Sequence, residues 1–97
     1  MRAIRQHLPN RRRSIAFTFE FESHRYRATA SHFEDGRLAE IFLDTDKAGT
    51  QLQLNAETAA ILASLCLQHG VDAKTIMHSV NGPIAVALAH FTKVEAL

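Results

Sequence analysis

Apolar and polar positions alternate most cleanly from Ile15 to Glu22, where Ile15, Phe17, Phe19 and Phe21 are spaced by Ala16, Thr18 and Glu20. A period of two predicts a strand with one apolar and one solvated face, as in an antiparallel sheet. Its phenylalanines are expected to form core. A stacking platform for nucleic-acid bases would need its rings exposed. A turn at Ser23-His24 leads into a second alternating segment, in which Tyr26, Ala28 and Ala30 face one way and Arg25, Arg27, Thr29 and Ser31 the other. The small inward residues leave room for a bulky element above them. Arg25 and Arg27 are expected level with Glu20 and Glu22 across the hairpin, where opposite charges help set the register. The same two arginines are also candidates for a phosphate site.

Glu34-Asp35-Gly36 marks a second turn, with glycine supplying the positive φ that a hairpin needs. In the strand that follows, Arg37 to Leu43, alternation weakens. Leu38, Ala39, Ile41, Phe42 and Leu43 put apolar groups on both faces. Such a strand is either covered on both sides or paired into a larger sheet, which points to a dimer. The loop 44–50 then carries Asp44, Asp46, Lys47 and Gly49. It lacks the glycine pattern and Gly-Lys order of a phosphate-binding loop, and its two aspartates read as solvated rather than cation-binding.

From about Leu52 to His69 the chain is helical and apolar almost all round, with Thr50 or Asn55 as N-cap. A helix of that kind is expected to be buried, with Ile61, Leu62, Leu65 and Leu67 packed on the phenylalanines of the first strand. Gly70 stops it. Asp72 caps a short helix to Val80 that buries Ile76, Met77 and Val80, and Asn81-Gly82-Pro83 separates it from a last helix with Ile84, Leu88 and Phe91 on one stripe. The predicted fold class is α+β: a three-stranded antiparallel meander followed by three helices, the long apolar one packed on one sheet face.

Composition changes this picture in one respect. The chain of 97 residues, 46% hydrophobic and 22% charged, has the totals of one ordinary globular domain. Its formal net charge of +1 is unevenly spread. Residues 1–13 contain Arg2, Arg5, Arg11, Arg12 and Arg13 and no acid, whereas the remainder is acidic. The pattern divides the chain into a basic arm, 1–13, and a single domain, 14–97. The arm suits nucleic acid or another polyanion, and equally an acidic surface of its own domain or of a sister subunit. No apolar run is long enough to span a membrane, none follows the basic start as in a secretory signal, and one cysteine allows no internal disulfide. A cytoplasmic protein is expected.

Candidate chemistry is sparse. Cys66 and His69 lie one helical turn apart, too few ligands for a zinc site, and the apolar surroundings of Cys66 favour buried packing over an activated thiolate. No hydrolase elbow, dinucleotide fingerprint or carboxylate pair is present, so the residues support neither an enzyme nor a cofactor.

Asp35-Gly36-Arg37, Ala39-Glu40-Ile41-Phe42, Lys47-Ala48-Gly49 and Leu67-Gln68-His69-Gly70-Val71 occur in the order and spacing of the TSCPD domain, which the chain resembles from about Phe17 to Val80. That domain ends adenosylcobalamin-dependent (class II) ribonucleotide reductases and also forms short free-standing bacterial proteins, whose opening Leu8-Pro9-Asn10-Arg11-Arg12 resembles. The Thr-Ser-Cys-Pro-Asp motif and the paired cysteines of longer members are absent, so no zinc or thiol-relay role is carried over. The reductase barrel, with its radical cysteine and cobalamin site, is missing, and the chain is not expected to reduce ribonucleotides alone. The resemblance implies an accessory module that binds a reductase large subunit, another protein or a second copy of itself. Arg11, Arg12 and Arg13, Asp35, Gly36 and Arg37, and Lys47 and Gly49 are the expected contact residues. Glycine and charge gathered at a sheet-to-helix junction would suit a phosphate or a partner's backbone. The alternative is a nucleic-acid-binding module led by the arm with Arg25 and Arg27.

Overall fold

The computed structural model describes residues 4–8 and 13–95. Three strands, β1 (Ile15–Phe21), β2 (His24–His32) and β3 (Leu38–Thr45), precede three helices, α1 (Gln51–Gln68), α2 (Ala73–Ser79) and α3 (Pro83–Glu95). The strands form an antiparallel meander in the order β1-β2-β3. The α+β arrangement expected from the pattern is the one adopted. No helix among the described residues is long and apolar enough to cross a membrane.

The β1–β2 turn lies one residue earlier than expected. Phe21 pairs with His24, leaving Glu22 and Ser23 as a two-residue turn, both with positive φ (50° and 69°). Glu20 stands opposite Arg25 as predicted, but Arg27 faces Thr18 because Glu22 belongs to the turn. In β3 the weak alternation has a local cause. Ser31 pairs with Glu40 and His32 with Leu38, so Ala39 is an extra residue. The bulge lets Leu38, Ala39 and Ile41 all be buried.

The helices share the work differently from the expectation. α3 buries Ile84, Leu88 and Phe91 as predicted. The phenylalanines of β1 are only half-buried, and Phe17 meets α3. The Phe17 ring stacks on His90 at 3.8 Å and meets Phe91 edge-on. α1 packs against β3 through a stripe of small residues, Ala56, Ala60 and Ala63, together with Leu67. Three of the four large side chains expected inside, Ile61, Leu62 and Leu65, are exposed, and so is Cys66. One strand offers cover for one stripe of a helix, and the alanines allow the closer approach. In α2, Ile76 and Met77 are half-buried and Val80 lies beyond the helix, exposed.

α1 also closes the free edge of β3. Ser64 Oγ accepts from the Ile41 amide and donates to the Ile41 carbonyl, each at 2.9 Å, and Gln68 Nε2 donates to the Ala39 carbonyl. Pairing β3 into a larger sheet is therefore blocked at these positions. Gly70, at φ 93°, ends α1 in a Schellman turn, with Val71 N–H bonded to the Cys66 carbonyl and Gly70 N–H to that of Leu67.

Candidate functional site

Asp35-Gly36-Arg37 forms a tight, self-satisfied turn. Gly36 takes φ 95°, its N–H bonds to the Phe33 carbonyl, and the Phe33 N–H bonds to the Arg37 carbonyl at 2.8 Å. The Asp35 carboxylate accepts from the Arg37 backbone N–H at 3.1 Å and from its Nε at 2.8 Å. Those donors, the backbone amide first, hold the Asp35 carboxyl below its ordinary range. The guanidinium lies over the Phe33 ring, 4.7 Å from its centroid. Half of the Arg37 side chain remains open to solvent, which leaves the ion pair weak and the group available for contact.

This turn holds down part of the arm. Arg37 Nη2 donates to Gln6 Oε1 at 3.2 Å, the Gln6 amide donates to the Gln68 carbonyl at 2.7 Å, and Arg5 Nε donates to Gln68 Oε1 at 2.6 Å. Gln68, buried at the end of α1, thus joins the arm, the helix and the β3 edge. A 120 Å³ hollow beside it is walled by Arg37, Leu38, Leu67, Gly70, Val71, Asp72 and Ala73.

The other expected contact residues lie elsewhere. Lys47 and Gly49 follow the far end of β3, an eight-residue strand that separates them from Arg37 by about 25 Å. The expected single junction of glycine and charge is therefore two places. Around Gly49 the polar groups serve the helix cap. Thr50 Oγ1 accepts from the Gln53 N–H, Gln53 Oε1 accepts from the Gly49 N–H, and the Thr50 hydroxyl bonds to the Lys47 carbonyl. Thr50, not Asn55, is the cap. Arg25 and Arg27 project from the open face of the sheet into a shallow depression that also includes Asp44 and Asp46. Arg27 stands opposite Asp44 in the register, so the patch is mixed in sign. Arg13 is exposed, whereas Arg11 and Arg12 lie outside the described residues.

Two features escape a reading by motif. Ser64 and Gln68 are polar at i and i+4 in an otherwise apolar segment, a signal that the helix presents one flank to backbone groups. A second pocket, about 390 Å³, opens between the β1–β2 turn, α1 and the start of α3, with Phe21, His24, Tyr26, Leu52, Asn55 and Ile84 among its walls. Nδ1 of His24 is buried there without a hydrogen-bond partner among the described residues, and burial, then the charge of Glu22, raises the Tyr26 phenol above its ordinary pKa. No group of three metal-ligating side chains occurs among the described residues.

The TSCPD domain family model matches residues 2–87. Vitamin B12-dependent ribonucleotide reductases of Agrobacterium fabrum and Bradyrhizobium diazoefficiens are 37% and 36% identical to this chain over 67 residues. The alignments cover 69% of this chain and 5% of those proteins, so the chain spans a small fraction of the relatives it matches. No solved structure matches.

Proposed function

Because the chain belongs to the TSCPD domain family, and its matched relatives are B12-dependent ribonucleotide reductases, we propose that it is a non-catalytic accessory module that binds a reductase large subunit. The family match carries this reading. The geometry adds a surface for it: the Asp35-Gly36-Arg37 turn, the arm that the turn holds, and the hollow beside Gly70 form one continuous contact region. Arg37 has half of its side chain free for a partner's carboxylate or backbone carbonyls, and Phe33 beneath it keeps the guanidinium in place. Arg11, Arg12 and Arg13 would add positive charge to the binding of an acidic partner. In this reading Gly49 and Lys47 serve the α1 cap.

The second reading, nucleic-acid binding by the arm with Arg25 and Arg27, has the uneven charge of the sequence in its favour. Asp44 and Asp46 beside those two arginines weigh against it, since carboxylates repel phosphates.

One experiment separates the two. The tagged chain is recovered from native lysate with and without nuclease, as the full chain and lacking residues 1–13. A reductase large subunit retained after nuclease treatment, and weakened by Arg37→Glu, is the expected result. Recovery of nucleic acid alone, lost with the arm and falling steeply with salt, would replace the first reading by the second.

A further inference from the structure

The outer face of α1 is the least expected surface of the molecule. Leu54, Ile61 and Leu62 are 58%, 57% and 58% exposed and Leu65 is 36% exposed, all on one helix whose only charged residue is Glu57. Contiguous apolar surface of this kind marks a contact site. Leu54, Thr58, Ile61 and Leu65 follow one another at steps of four, three and four, the spacing of a helix–helix seam. That series reads the same in both directions.

We propose that this face is a two-fold interface, at which two copies of the chain pair through antiparallel α1 helices. A dyad between Ala59 and Ala60 sets Leu54 against Leu65 of the second copy and Thr58 against Ile61, so one surface serves as both halves of the contact. Antiparallel pairing also opposes the two helix dipoles favourably. The charges at the ends agree with this orientation. The loop before α1 carries Asp46 and Lys47, and the segment after it carries Asp72 and Lys74, all exposed. Counted from the same dyad, Lys47 falls opposite Asp72 of the second copy and Asp46 opposite Ala73, next to Lys74, so each loop before α1 meets a segment of opposite charge order. A parallel pair would instead bring Lys47 to Lys47 and Asp72 to Asp72. Eighteen residues make a helix about 27 Å long, and two such faces with their end segments bury on the order of 1,000 Å² in total, the lower bound for a specific interface. The dimer is therefore expected to be concentration-dependent.

The inference stands apart from reductase binding and is tested on the purified chain alone. Sedimentation equilibrium at low salt is expected to show a monomer–dimer equilibrium. Ile61→Glu, at a position already open to solvent in the monomer, should weaken it by about 100-fold or more while the circular dichroism spectrum and melting temperature hold. Lys47→Glu and Asp72→Lys should each weaken the dimer by about tenfold, and the double variant should recover it. A chain that stays monomeric at high concentration overturns the proposal, also where Ile61→Glu abolishes binding of a different protein. A dimer indifferent to Ile61→Glu overturns it as well, and one that the double charge exchange fails to restore overturns the antiparallel register.

Discussion

One hydroxyl closes the edge of β3. Ser64 Oγ bridges the N–H and C=O of Ile41, two groups that an edge strand would otherwise present to water or to another chain. Ser64→Ala removes both bonds and leaves a methyl against half-buried backbone, and is expected to destabilise the fold by about 1–3 kcal/mol. Urea unfolding reads the loss, and hydrogen exchange at the Ile41 amide should quicken with it. An unchanged midpoint and an unchanged exchange rate would mean that the bridge contributes nothing. Asp35 offers a different kind of test. Its carboxyl is held low by the Arg37 amide and guanidinium, so any stability it contributes is present above its unfolded pKa and lost as pH falls through the depressed folded value. Both side chains are more than half open to solvent, which makes the consequence local. Arg37→Ala should raise the Asp35 pKa toward the ordinary carboxylate value without reaching it, because the backbone donor remains. An NMR titration of the Asp35 carboxyl carbon measures this.

Among the elements, β1, β2 and α3 were legible in the sequence because their periodicity states which side is inward, whereas the bulge blurred β3 and the β1–β2 turn was placed one residue late. Ile84, Leu88 and Phe91 form one stripe and are buried as one. α1 was not legible in that way. It has two apolar stripes, one of leucine and isoleucine and one of alanine, and hydrophobicity alone ranks the wrong one as core. The alanines face inward because α1 must come close enough for Ser64 and Gln68 to reach the β3 backbone, a requirement set by the sheet edge and invisible within the helix. Substitutions should reverse the usual order of sensitivity. Ala60→Leu is expected to destabilise by about 1–3 kcal/mol through overpacking, whereas Leu62→Gln in dilute protein should fall within about 0.5 kcal/mol of the parent. Chemical denaturation of the two variants side by side checks the contrast. The β1–β2 turn carries a comparable mismatch, since Glu22 and Ser23 both occupy the left-handed region that glycine and asparagine adopt more readily. Changing the pair to Asn-Gly should stabilise the hairpin by about 1–2 kcal/mol, read as a higher denaturation midpoint with an unchanged slope.

At the scale of the whole molecule, the uneven charge of the sequence pointed to the arm, and the structure gives part of that arm a place. Its described stretch is tied to neutral amides, with Arg5 on Gln68 and Gln6 between Gln68 and Arg37. Charge counting could not reveal this, because Gln68 has no charge and lies 63 residues from Arg5 along the chain. The turn at Asp35-Gly36-Arg37 was legible as a turn, but its action on the arm was not, since that needs the end of α1 beside it. Two side chains, Gln68 and Arg37, therefore hold the arm alongside the backbone bond from the Gln6 N–H to the Gln68 carbonyl. Each of these guanidinium–amide hydrogen bonds is open to solvent in part and contributes on the order of 1 kcal/mol. Losing Gln68 or Arg37 should therefore raise the open fraction of the arm by about fivefold, and losing both by about 25-fold if the two act independently. Trypsin cleavage after Arg5 under native conditions, followed by mass spectrometry, reports that fraction when opening is faster than cleavage. The expected order of rates is parent, then Arg37→Ala or Gln68→Ala, then the double variant. Rates equal in all four proteins would show that the arm is not held by these bonds, and the contact region proposed for the reductase would then lose its arm.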